Sequence, residues 1–295
     1  MANKRKLTVD KTYLSLDQAE SRGFIHRDYI AHCLRWTHVL KTLGECKRYA
    51  QSRILDVGCG RELPFAKTLY SSRYIPVEYV GVDVGPIEDE AALAVAGEGK
   101  KFPCRLYENT DLMEDGFLDG EKFEVITCFE VLEHVEPQHM CQMLLKMRRL
   151  LTDGGIAFLS TPCWNERDCA DNHVDEIKYQ TLGAVLEDLG FTIVSTNGTF
   201  ASQRDYKHLL TRPQYELFTQ LSDYYDSNFL SCVFAPLFPA QSRNVLWKVT
   251  PGFTPSERRW FMPLLTGVPP YGSSDRWADA VNWYPNIVNT AEITK

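Results

Sequence analysis

No stretch of the 295 residues approaches the roughly 18 consecutive apolar positions that a membrane span requires. The opening MANKRKLTVDKTYLSLD carries positive charge with no apolar stretch behind it, so neither an anchor nor a secretory signal is expected. There is no Cys-x-x-Cys pair either. The nine cysteines, at 33, 46, 59, 104, 128, 141, 163, 169 and 232, are odd in number and scattered, which argues against a disulfide framework and fits reduced thiols in a cytoplasmic chain. An excess of positive charge is missing too: a formal charge of -7 gives no general attraction for polyphosphate, with Lys4-Arg5-Lys6 as a local exception. Internal repeats and low-complexity tracts are absent. What remains is a chain with 44% hydrophobic and 24% charged residues, ordinary globular usage with material for a sizeable core.

Along the chain, residues 28 to 43 place Ile30, Cys33, Leu34, Thr37 and Leu40 near helical spacing and predict an amphipathic helix within an N-terminal cap, 1–48. Short β-rich runs follow at 53–57, 79–83, 123–128, 156–160 and 191–195, separated by helical or loop segments. That alternation predicts an α/β fold, a doubly wound, mostly parallel sheet with right-handed crossovers, spanning 49–250. A last run, 244–249, arrives only after an insertion at 199–243 and is expected to pair antiparallel. The insertion is the candidate acceptor-binding segment, with Arg204 and Lys207 as polar candidates; Phe218, Tyr224, Tyr225, Phe229 and Phe234 within it and Trp247 beyond it are wall or core aromatics. Residues 251–295 form an aromatic and Pro-rich extension without periodicity.

The strongest motif is Ile54-Leu55-Asp56-Val57-Gly58-Cys59-Gly60, an apolar strand running into a turn whose glycines admit close backbone approach by a ligand. Its weight comes from Asp56 before the first glycine and from Asp83 closing a second strand, where a carboxylate accepts both protons of a ribose diol. Asp111, in Asn109-Thr110-Asp111-Leu112, follows the expected third strand and is a candidate partner for an adenine amino group. These positions also suit ordinary turns and caps.

ILDVGCG, YVGVDVG, FEVITCFEVLEHVEP, LLTDGGIAFLSTP and LEDLGF, in that order and spacing, resemble class I S-adenosylmethionine-dependent methyltransferases, particularly the ubiquinone-biosynthesis O-methyltransferase branch. The resemblance runs from about Arg53 to Ser195 and implies a Rossmann-like fold. It also implies that S-adenosylmethionine's amino-acid end is lined by Asp56, Gly58, Cys59 and Gly60, with Asp83 on its ribose. Glu62 stands where many relatives carry a third glycine, a departure that affects the local loop path.

Phe129 and Glu130, just past the strand 123–128, should border the cofactor, because ligands of open α/β sheets sit at the carboxyl ends of the strands. If the chain turns helical at Glu130, then Glu130, Glu133 and His134 share one face. This is similar to the Glu-x-x-Glu-His element of small-RNA 2′-O-methyltransferases, which implies a divalent cation, Mg or Mn, with His173 as fourth ligand. The competing reading makes the carboxylates helix-start residues and His134 a packed histidine. His173 and His134 are also candidate catalytic residues, a neutral imidazole being able to take the acceptor's proton. Cys163, Cys169 and His173 suggest zinc only weakly, lacking a paired Cys-x-x-Cys.

The expectation is therefore methyl transfer to a small-molecule acceptor, O-methylation favoured. RNA or DNA methylation, a non-catalytic S-adenosylmethionine-binding module, and a nicotinamide dehydrogenase are the competing readings. The last lacks the third glycine of its fingerprint.

Overall fold

The computed structural model describes residues 27–164, 169, 172–200, 213, 239–242 and 244–252. Helix α1 (Arg27–Glu45) comes first, and among the described residues it precedes seven strands. These are β1 (Arg53–Val57), β2 (Glu78–Val82), β3 (Cys104–Tyr107), β4 (Phe123–Phe129), β5 (Leu151–Pro162), β6 (Phe191–Phe200) and β7 (Asn244–Pro251). Between them lie α2 (Pro64–Ser71), α3 (Asp89–Val95), α4 (Pro137–Leu150) and α5 (Tyr179–Asp188).

The strands form one sheet in the order β3-β2-β1-β4-β5-β7-β6. β1 to β5 are mutually parallel, and β7 enters antiparallel between β5 and β6. This is the expected Rossmann-like, doubly wound sheet with an antiparallel late strand.

Strand side chains alternate between faces, and the sequence uses that alternation to build two cores. Leu55 and Val57 of β1, Val80 and Val82 of β2, Ile126 and Cys128 of β4, and Val245 and Trp247 of β7 pack with Met140, Leu144 and Met147 of α4 and Leu182 and Leu186 of α5. Ile54, Tyr79, Val125, Phe158 and Leu246 point the other way, toward Val39 and Leu43 of α1, Phe65 and Leu69 of α2 and Ala91 of α3. Trp247 is therefore core: it is 1% exposed and stacks on Tyr179, with centroids 4.7 Å apart. At the amino ends of the strands an ion cluster ties β1 to its neighbours, Arg53 to Glu78 at 2.7 Å and Arg105 to Glu121 at 2.7 Å, leaving the opposite edge for ligands.

Two expectations change. The helix before β1 buries Arg35, Val39 and Leu43, an i, i+4, i+8 stripe, while Thr37 of the expected face is exposed. The chain also does not turn helical at Glu130: that residue is left-handed, φ +57°, and only a short 3-10 turn, Leu132–His134, follows. Arg204, Lys207, Phe218, Tyr224, Tyr225, Phe229 and Phe234 of the insertion lie outside the described residues, as does 253–295.

No helix among the described residues is long and apolar enough to cross a membrane.

Candidate functional site

The glycine turn hangs on the end of β2. Gly58 and Cys59 both donate their N–H to the Val82 carbonyl, at 2.8 and 3.1 Å. Gly58 and Gly60 have φ +68° and +76°, a left-handed conformation available to glycine without a Cβ penalty. The turn curls over the Asp83 carboxylate, whose Oδ2 accepts the Gly60 N–H and Oδ1 the Gly85 N–H, each at 2.8 Å. A carboxylate offers about four acceptor positions, so a half-buried Asp83 retains capacity for a diol beside two left-handed glycines. That donor set fits a nucleoside ligand. Asp111 receives the Met113 N–H on Oδ1 at 2.8 Å, with His139 Nε2 3.6 Å from its other oxygen.

Asp56 stands beneath the turn, 2% exposed, where the Tyr79 hydroxyl donates to it at 2.6 Å and the Thr127 hydroxyl at 2.7 Å. Both partners are protein groups, so Asp56 braces the turn from below. Burial pushes its pKa up to about 6 from 3.8, against the opposing effect of the two hydroxyl bonds. Below pH 3.8 the side chain is protonated both folded and unfolded. Between 3.8 and 6 the unfolded chain releases the proton and the folded one holds it, so this contribution to stability is lost as pH rises. A shift of that size corresponds to about 3 kcal/mol. Asp56→Asn should therefore gain on the wild type by up to that amount in denaturant titrations between pH 4 and 7, and a pH-independent difference would contradict the assignment. Burial first, then Asp56 and Asp83, raise the Cys59 thiol, which stays neutral.

Past β4 the chain leaves the sheet through Phe129, whose ring meets Phe65 edge-on at 5.7 Å, and then Glu130. The left-handed turn sends the Glu130 carboxylate into a network that local sequence gave no means of finding. Arg35 Nη1 of α1 donates to it at 2.5 Å, the Ser160 hydroxyl of β5 at 2.9 Å and Asn244 Nδ2 of β7 at 2.8 Å. Arg35 also donates to Asn244 Oδ1 at 3.2 Å. Its partners are 95 and 209 residues away in sequence.

Glu130 is thereby separated from the face it was expected to share. The group that does assemble is Glu133, His134 and His173, whose ligand atoms lie within 4.8 Å of one another. The two rings meet edge-on with centroids 5.0 Å apart. His134 Nδ1 is 2.9 Å from the Asn172 carbonyl, and His173 Nδ1 is 2.7 Å from Glu176 Oε1. Nδ1–H donation to those oxygens leaves Nε2 of each ring with its lone pair. Burial and the nearby Glu130 hold Glu133 well above the usual carboxylate range, with the Thr161 hydroxyl donating to it at 3.0 Å. Glu176, fully buried at its side chain, was not anticipated, although its place three residues after His173 was a legible signal. The second group of potential ligands joins Cys169, His173 and Glu176; Cys163, of the zinc reading, belongs to neither group.

Comparison with known proteins gives a family and distant relatives. A family model described as a methyltransferase domain matches residues 26–220. A ubiquinone biosynthesis O-methyltransferase from Hahella chejuensis is 32% identical over 111 residues, 37% of this chain and 42% of that protein. The Pseudomonas syringae pv. tomato protein of the same name is 31% identical over 124 residues, 40% and 48% of the two chains. A sphingolipid C9-methyltransferase from Komagataella phaffii is 27% identical over 114 residues, 36% of this chain and 22% of that one. The chain thus spans less than half the length of these relatives. Among solved structures, magnesium protoporphyrin IX methyltransferase from Synechocystis PCC 6803 with bound S-adenosylhomocysteine aligns with TM-score 0.48 and 15% identity, covering 81% of this chain and 89% of that one.

Proposed function

Because this chain belongs to the S-adenosylmethionine-dependent methyltransferases, its family model matching residues 26–220, we propose that it methylates a hydroxyl of a small molecule, with His173 as the base. Membership sets aside the nicotinamide dehydrogenase reading. The likeness to ubiquinone O-methyltransferases supports an oxygen acceptor, and the charge of -7 weighs against RNA or DNA.

When bound, S-adenosylmethionine supplies a methyl carried on a sulfonium, already activated toward a nucleophile. Gly58, Cys59 and Gly60 would line its amino-acid end over Asp56. Asp83 would accept from the ribose hydroxyls, Asp111 would receive the adenine amino group, and Phe129 and Glu130 would border it from β4.

The observation that carries the acceptor half is the 2.7 Å contact between His173 Nδ1 and the buried Glu176 carboxylate. It fixes the ring and its tautomer, leaving Nε2 as the basic nitrogen. His173 Nε2 would take the proton of the acceptor hydroxyl as that oxygen is methylated. A screen with labelled cofactor against cell extract separated into small molecules, nucleic acid and protein tests this. Label should enter the small-molecule fraction and resist hydrolysis as an ether. Asp83→Ala should weaken S-adenosylhomocysteine by about 1.5–3 kcal/mol in calorimetry, as for lost hydrogen bonds to a charged group. Label confined to protein or nucleic acid would overturn the acceptor class, and an unchanged Asp83→Ala affinity would overturn its role.

A second reading is favoured by the mutual reach of Glu133, His134 and His173. One carboxylate and two Nε2 lone pairs suit Mg²⁺ or Mn²⁺, with Glu176 orienting His173 from behind. Activity would then vanish in chelator and return on adding either ion. Full turnover by enzyme shown to be metal-free would remove this reading.

A further inference from the structure

Where α1 crosses the outer half of the sheet it leaves a cavity of about 190 Å³, bounded by His38, Lys41, Thr42 and Glu45 above and by Phe158, Leu246, Ser195, Asn197 and Lys248 below. The cavity is separate from the cofactor edge. Phe158 lies two residues before Ser160 on β5, and Lys248 pairs with Phe158 across the sheet, four residues along β7 from Asn244. Phe158 and Leu246 provide an apolar floor, so the polar character comes from the rim.

The rim charge is unbalanced. Lys248 Nζ donates to the Thr42 hydroxyl at 3.3 Å, and among the described residues no carboxylate forms an ion pair with it. Glu45, the one carboxylate among the described lining residues, reaches Lys41 only at 4.0 Å, with both side chains largely exposed. Two ammonium groups therefore face one solvated carboxylate, and His38 between them is held below its ordinary pKa by burial first and then by Lys41 and Lys248. The part of that lowering that comes from the two lysines is the mark of a positive local potential. Lys248 is half-buried on β7, which lies between β5 and β6.

From this geometry we propose that the cavity binds a small oxyanion, with a phosphate group as the chemistry its donors suit. Lys41 and Lys248 supply charge, while Ser195 and Asn197 supply neutral donors around an apolar base; the Thr42 hydroxyl, whose proton goes to the His38 carbonyl at 3.0 Å, accepts from the Lys248 ammonium and positions it. The site belongs to the N-terminal helix and the β5-β7-β6 half of the sheet, and it stands apart from the proposed acceptor chemistry.

Calorimetric titration of the full chain with inorganic phosphate, and separately with phenyl phosphate, at constant ionic strength tests it. Saturable binding at one site is expected. Lys248→Met should weaken it by roughly tenfold or more, as for loss of a charged hydrogen-bonding partner, with S-adenosylhomocysteine affinity unchanged. Lys41→Ala, on the exposed rim, should weaken it severalfold and carries the test if Lys248→Met fails to fold. Tighter binding of phenyl phosphate would identify an organic phosphate using the Phe158 and Leu246 floor, and equal affinity a free ion. Absence of saturable binding by the wild type, or binding untouched by both substitutions, would overturn the proposal.

Discussion

His173→Asn should lower kcat by roughly 10² to 10⁴ with a hydroxyl acceptor, the range for losing a positioned general base, while S-adenosylhomocysteine affinity stays within about threefold. The asymmetry follows from the structure. His173 is held by Glu176 on the segment after β5, whereas the glycine turn and Asp83 lie at the ends of β1 and β2, four and three strands earlier in the chain. Asn keeps a polar side chain near Glu176 but offers no basic nitrogen for the proton. Glu176→Gln should fall between wild type and His173→Asn, because the amide still accepts from Nδ1–H while no longer stabilising a protonated ring. Initial rates under saturating cofactor, paired with calorimetry, read both quantities. A His173→Asn enzyme at wild-type kcat would remove His173 from catalysis, and parallel loss of cofactor affinity would assign it to cofactor binding instead.

Gly58→Ala should abolish measurable cofactor binding and lower thermal stability. A Cβ at Gly58 runs into Val131 Cγ2, and the backbone there is left-handed, φ +68°. The left-handed conformation costs an L residue about 1–2 kcal/mol, and forcing extra volume into a packed site costs about 1–3 kcal/mol. Relieving the overlap would displace Val131, which follows Glu130 and opens the turn toward Glu133 and His134, so the damage reaches both sides of the site. Adding Val131→Ala should restore part of the lost stability, since it removes the clash and leaves the backbone cost. Equal melting temperatures for Gly58→Ala and wild type would show that the turn adjusts freely.

The architecture was legible because its signals are local. Each parallel strand is a short β-rich run bounded by turn residues, and the alternation with helical stretches dictates a doubly wound sheet. The glycine turn and Asp83 were legible because each sits at a strand end, where chain position and site position coincide. Glu130 was misread for the opposite reason. Its direction is decided by one left-handed dihedral and by Arg35, Ser160 and Asn244, which come from three distant elements, and no window along the chain contains that information. The same holds for α1, where a buried arginine replaces the apolar residue that periodicity looks for. Arg35 is tolerated there because a carboxylate meets it, a pairing that hydrophobic patterning does not register.

The position of β7 also has a consequence during protein synthesis. Among the described residues β6 pairs only with β7, and Asn244 of β7 holds the Glu130 carboxylate just past the end of β4. A ribosome adding about 5–20 residues per second delivers β1 to β4, with the glycine turn and Asp83, well before residue 244 emerges. During that interval β6 has no strand to join and Glu130 lacks one of its three anchoring side chains. The Glu130 network is thus completed late in translation, so a nascent chain can carry the glycine turn before the adjoining edge of the sheet is complete.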